Sequence, residues 1–300
     1  MEEKQKTDTN EIQVSLFASS NRPQLYESFF KSLKGTSVKY EVVFAGNCKN
    51  IVTHCEDGFY QHQLENHAPL NLTGESLRNN ENMFFKYIET ANIKPSQCYE
   101  IARRACKGEV VVWVADDCEF PNDVIGKAYK YWKSKRNEKL ILSIQTKESG
   151  YGLPQGQLFD MDVHRFFGGV KTSPLMAPLG MMSREFLNDI GGFDRRYICG
   201  QYENQCVIMA MMKGGTVEIF GGPDCFIDID HMGKSLLIGE SKKESDFLKR
   251  PFAKGYDHDR RILESVCCID NGRISLKTNF EPYEDKDIML KSQSFKGDWE

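Results

Sequence analysis

Asp116, Asp117 and Glu119 stand directly after the apolar run Val110-Val111-Val112-Trp113-Val114-Ala115. Such a run reads as a buried strand. Acids at its end put carboxylate oxygens at the mouth of a sheet, where open α/β folds bind ligands. Those oxygens suit hard divalent cations and, through them, diphosphates. The bland alternative is that the acids cap the helix starting near Asn122. Three acids exceed what a cap needs. A second candidate carboxylate is Glu203, in Tyr202-Glu203-Asn204 at the start of a helical stretch. It has the chemistry of a general base, although a helix dipole also favours an acid there. Asp194, in Gly191-Gly192-Phe193-Asp194, is the reserve base and reads more readily as a residue that holds the double-glycine turn.

The elements around these residues follow from pattern. Residues 12–18, 40–45, 83–89, 109–115, 140–144, 217–220 and 225–229 read as strands. Leu25, Phe29, Phe30 and Leu33 fall at helical spacing between Pro23 and Gly35. Further helices are expected from Pro95, over 122–133, over 183–190 before Gly191-Gly192, and over 203–213 before Gly214-Gly215. Strands alternating with helices predict an α/β fold, with a mostly parallel, Rossmann-like central sheet between flanking helices. The glycine- and proline-rich stretch 145–180 reads as loops or short antiparallel strands that shape a substrate site. Residues 1–10 read as a disordered polar terminus, 11–235 as one domain, and 236–300 as a helical or irregular C-terminal extension.

Composition narrows the class. A 300-residue chain can bury one sizeable core. With 27% charged residues and a net charge of -4, it is not an overall polyanion binder. The ten cysteines form no paired CxxC framework, which argues against zinc and for a reducing interior. The start, Met1-Glu2-Glu3-Lys4-Gln5-Lys6, lacks an apolar signal core, and no stretch approaches a membrane span. A soluble cytoplasmic protein without a membrane anchor is therefore expected. No GxGxxG follows a strand, which disfavours a dinucleotide-dependent dehydrogenase. Ala18-Ser19-Ser20-Asn21-Arg22 is not the glycine-rich phosphate loop of a nucleotidylyltransferase.

The order of these pieces resembles the GT-A glycosyltransferases, family 2 above all, over roughly residues 11–235. Val14 to Arg22 resembles the nucleotide-binding start, and Glu41 to Asn47 the second strand with its base-binding end. Asp116-Asp117-Cys118-Glu119 resembles the DxD-type motif. Gly191-Gly192-Phe193-Asp194 with Tyr202-Glu203-Asn204 resembles the acceptor and base segment. The family usually carries aspartates where Gly46-Asn47 stand, and Glu-Asp where Glu203-Asn204 stand. The resemblance implies a metal-dependent, inverting transfer of a sugar from a nucleotide sugar, with a UDP-sugar favoured, to a hydroxyl. Mn²⁺ or Mg²⁺ would be held by Asp117, with Glu119 in support. His231 is either a further ligand, better for Mn²⁺ than Mg²⁺, or an exposed strand-end histidine.

Ser19, Ser20, Arg22, Asn47, Arg103 and Asp116 would line the nucleotide sugar. Arg103 would face the phosphates, and Arg104 would pair with Glu100 on the surface. Lys234 would close on a phosphate, or is a surface charge. The stretch Pro95 to Arg104 resembles phage and giant-virus members. That makes a hydroxymethylated base in viral DNA one conceivable acceptor and a host cytoplasm one location. A GT-A-fold protein that binds nucleotide sugars without transferring them is the remaining alternative.

Overall fold

The computed structural model describes residues 12–20, 22, 25–46, 51–53, 60–62, 83–90, 95–150, 153–159, 177–194, 196–198, 200–230, 251–270 and 273–276. The strands that matter are β1 (Val14–Ser19), β2 (Tyr40–Gly46), β3 (Ile51–Thr53), β4 (Tyr60–His62), β5 (Met83–Glu89), β6 (Val110–Trp113), β7 (Cys118–Glu119) and β8 (Leu140–Ile144). They continue with β9 (Thr146–Gly150), β10 (Leu153–Phe159), β11 (Gly180–Ser183), β12 (Thr216–Phe220), β13 (Ile227–Asp230), β14 (Cys267–Asp270) and β15 (Arg273–Leu276). The helices are α1 (Tyr26–Ser32), α2 (Pro95–Arg104), α3 (Val124–Lys135), α4 (Arg184–Asp189), α5 (Tyr202–Met212) and α6 (Pro251–Val266).

Seven strands form the central sheet, in the order β12-β8-β11-β6-β1-β2-β5. The pairs β12–β8, β6–β1, β1–β2 and β2–β5 are parallel, and β11 runs antiparallel to both β6 and β8. The expected mostly parallel α/β sheet is what the chain forms. Its strands are apolar on both faces because helices cover both. In β6, Val110 and Val112 enter one core while Val111 and Trp113 enter the other. The first core is closed by Tyr26, Phe29 and Phe30 of α1 and by Ile125, Ala128 and Trp132 of α3. The second is closed by Cys98 and Ala102 of α2, Phe186 and Leu187 of α4, and Cys206 to Ala210 of α5. Leu263 and Val266 of α6 enter this second core as well. Each large apolar side chain buried in this way stabilises the fold by about 1.5–3 kcal/mol.

A second sheet, β10-β9-β13-β7, stands beside the first. Within the glycine- and proline-rich stretch, β9 and β10 form an antiparallel pair. The C-terminal part holds α6 and an antiparallel hairpin, β14–β15, that pattern reading did not anticipate. Among the described residues, no helix is long and apolar enough to cross a membrane.

Candidate active site

The carboxyl ends of β1, β2 and β6 meet at one edge of the sheet. The Ser20 amide donates to Ala45 O at 2.9 Å, and the Val114 amide donates to Phe17 O at 3.1 Å. At Gly46, β2 passes close to the residue that follows β1. A Cβ there would sit 1.9 Å from the carbonyl oxygen of Ser20. The glycine is therefore explained by close backbone approach, and the hydroxyl of Tyr87 closes the corner by donating to Ser20 O at 2.9 Å.

At this mouth Asp116 and Asp117 are almost fully buried, at 2% and 6% exposure. The Ser20 hydroxyl donates to Asp116 Oδ2 at 2.6 Å. Arg22 donates to Asp116 Oδ1 and stands 3.3 Å from Asp117 Oδ2. Burial would lower the Arg22 guanidinium, but Asp116 and Asp117 outweigh it and hold Arg22 above its ordinary value. Burial raises Asp116, and Arg22 offsets this only in part. The remaining oxygen, Asp117 Oδ1, is buried and has no hydrogen-bond partner. Neither acid caps α3. That task falls to Asp123, which accepts the Gly126 amide at 3.2 Å and the Ser37 amide at 3.0 Å.

Tyr99 links this cluster to the start of α5. Its hydroxyl donates to Val114 O at 2.6 Å, and its ring lies 5.0 Å from that of Tyr202. Glu203 follows Tyr202 in the first helical turn. As a residue Glu203 is half-buried, yet its Oε2 is sealed from solvent and has no partner. Burial pushes the Glu203 carboxyl up to about 7, against hydrogen bonds from its own amide and that of Gln201. The next residue, Asn204, is buried, with its amide nitrogen donating to Gln201 Oε1 at 2.7 Å.

Two sequence expectations need correction. Arg103 does not offer its guanidinium to a phosphate. It donates twice to Glu100 at 2.6 Å and once to Asn188 at 2.5 Å, and is buried. A Cβ on Gly192 would lie 2.6 Å from both Arg103 Nε and Glu100 Oε2, so the glycine turn closes over this pair. An i,i+3 partner and a neighbouring turn thus enclose Arg103. The Glu100–Arg104 pair does form, at 2.9 Å. Asp194 does not hold the double-glycine turn; Glu100 does, by accepting the Phe193 amide at 2.9 Å. Asp194 is taken up by Arg196, whose Nη2 lies 2.6 Å away, and by Gln205 Nε2 at 3.0 Å.

Glu119 lies in β7 opposite Asp228 of β13, and Ser28 of α1 donates to its carboxylate. Ser19 ends β1 and is half-buried. Asn47, His231 and Lys234 lie outside the described residues. Among the described residues no group of three or more His, Cys, Asp or Glu side chains is gathered to hold a metal. The orphaned Asp117 Oδ1 fits a sparser mode, in which one carboxylate, phosphate oxygens and water share a cation. Sequence reading missed Tyr99, Tyr202 and Tyr87 as parts of the mouth.

No protein-family model and no curated protein matches the sequence. Among solved structures, the chain is similar to S. aureus TarS 1–349 in complex with UDP-GlcNAc. The TM-score is 0.53 and the identity 17%, over 93% of this chain and 70% of that one. The fold is a GT-A fold. S. aureus TarS 1–349 in complex with UDP also aligns, with a TM-score of 0.48 and 16% identity over 91% of this chain and 99% of that one.

Proposed function

We propose that the protein is a glycosyltransferase that moves a sugar from a UDP-sugar to a hydroxyl acceptor with inversion. The observation that carries this is the pair of buried, unpartnered carboxylate oxygens, Asp117 Oδ1 and Glu203 Oε2. Asp117 acts on Tyr99, whose ring packs on Tyr202, the residue before Glu203. A buried acceptor without a donor costs about 1–3 kcal/mol. A fold that keeps such oxygens buried and unpaired keeps them for something that binds there. UDP-GlcNAc occupies the S. aureus TarS structure of similar fold, which supports a uridine nucleotide here.

Arg22 and Ser20 would meet the diphosphate, and Asp116 would hold both of them in place while it contacts ribose or sugar. Asp117 would hold a divalent cation, Mn²⁺ or Mg²⁺, with Glu119 and His231 as its candidate companions. When bound, such a cation stabilises the charge of the departing diphosphate. Glu203 takes the proton of the acceptor hydroxyl as that oxygen attacks the anomeric carbon. A carboxyl near 7 is matched to that task at neutral pH, being ionised in part and basic enough to accept a proton.

Asn204, where the family carries a second acid, favours one other reading, a protein that binds the nucleotide sugar and does not transfer it. Titration calorimetry with UDP-GlcNAc and UDP, with and without Mn²⁺, tests the binding half. Turnover of UDP-GlcNAc against water, and against acceptors that include hydroxymethylated DNA, tests the transfer half. No binding of either nucleotide overturns both readings. Binding without turnover leaves the non-transferring one. Proton NMR of the product anomer reports inversion.

A further inference from the structure

Asp259 is fully buried, at 0% exposure, on a helix far along the chain from the acids at the sheet mouth. Its Oδ1 accepts the Ile198 amide at 2.8 Å and its Oδ2 accepts the Gly200 amide at 2.9 Å. His258 Nδ1 lies 3.0 Å from Oδ1. The Ile198 carbonyl in turn accepts the Ser96 amide at 3.1 Å, at the start of α2. One carboxylate therefore fixes the segment that leads directly into Gln201, Tyr202 and Glu203. Gln201 enters α5 with a left-handed φ of 66° and no side-chain cap. Such an entry is strained for a non-glycine residue and must be held by its surroundings. Leu263 and Val266, later on the same helix, lock α6 into the second core beside Tyr202, so the hold is rigid.

We propose that Asp259 is a positioning residue for Glu203, fixing the approach to α5 and with it the place from which the Glu203 carboxyl works. This rests on Glu203 acting as the base. The two loop amides need only acceptors, which an uncharged side chain or water could supply. A fully buried carboxylate does more. Its negative charge also adds a small push toward the protonated form of Glu203, in the same direction as burial. The C-terminal helix is in this sense part of the site.

The test uses the full chain labelled with ¹³C at glutamate carboxyls. The Glu203 signal is assigned by its absence in Glu203→Gln. Asp259→Asn keeps size and one acceptor, and Asp259→Ser keeps a small acceptor. In either variant the Glu203 midpoint is expected to fall by about half a pH unit or more. UDP-GlcNAc turnover against water should fall roughly tenfold, with the acid limb of its pH profile displaced and KM for UDP-GlcNAc unchanged. If Glu203 titrates in both variants where it does in the wild type, or if neither variant folds, Asp259 is only an anchor and the proposal is overturned. Unchanged turnover in Glu203→Gln would instead overturn the base reading, while the Glu203 midpoint would still report on Asp259.

Discussion

The two ends of the central sheet handle buried polar groups in opposite ways. At the foot, near the start of β1 and β2, Glu41 is buried and accepts from the Ser15 hydroxyl at 2.5 Å and from the Lys107 amide. Ser15 accepts the Gly108 amide at 2.7 Å. Each of these groups has a partner within the chain, and the cluster ties β1, β2 and the turn before β6 together. At the mouth, Asp117 and Glu203 each keep one buried oxygen without a partner. Burial is similar at both ends, so burial does not mark the site. An unspent carboxylate oxygen does, because a saturated acid returns stability and an unsaturated one withholds it for a ligand.

The largest expected effect is at the mouth. Asp117→Ala should lower UDP-GlcNAc turnover by roughly three orders of magnitude or more, about 4 kcal/mol in barrier. Its melting temperature should stay level or rise, since an unsatisfied buried acceptor is removed. A variant that keeps its turnover, or that unfolds, would make the mouth another foot. Glu203→Gln should cost turnover about two to four orders of magnitude with UDP-GlcNAc affinity unchanged in calorimetry. Its stability has a pH signature. With a folded value near 7 against an ordinary 4.5, the folded chain binds the extra proton. Wild-type stability therefore falls as pH rises between those values. Glu203→Gln should melt level with wild type below this window and higher above it, by on the order of 2 kcal/mol.

The foot should behave in reverse. Glu41→Gln should destabilise by about 1–3 kcal/mol in urea unfolding, through the loss of a charged acceptor, and leave UDP-GlcNAc affinity as it was. A change in affinity would show that the two ends communicate. The smallest expected effect belongs to Arg22→Lys. A point charge replaces a planar fork, so UDP affinity should drop about tenfold, near 1.4 kcal/mol. No change would place Arg22 with the foot-like, internally satisfied charges such as Arg103.

Much of the frame was legible in the sequence for a local reason. Strand and helix periods are written residue by residue, so Leu140–Ile144 and Met83–Glu89 coincide with their expected spans. Strand ends shifted by a residue or two: residues 12–18 became Val14–Ser19 and residues 217–220 became Thr216–Phe220. The mouth was legible as well, because an apolar strand must end before charged residues can reach solvent or ligand. The hairpin of β14 and β15 was not, because short strands in a charged tail carry little period of their own.

By itself, the sequence determined the α/β order of elements, the sheet they build, and the acids at the end of β6. Those follow from apolar alternation and backbone chemistry, which act over a few residues. Only the tertiary structure decided which charges are spent and which stay open. Arg103 is consumed by Glu100 and Asn188, Asp194 by Arg196 and Gln205, and Asp123 rather than Asp116 or Asp117 caps α3. Asp259 meets the approach to Glu203 across about sixty positions of chain. A side chain's partner is set by what packing brings within about 3 Å, and that proximity is not encoded in spacing along the chain.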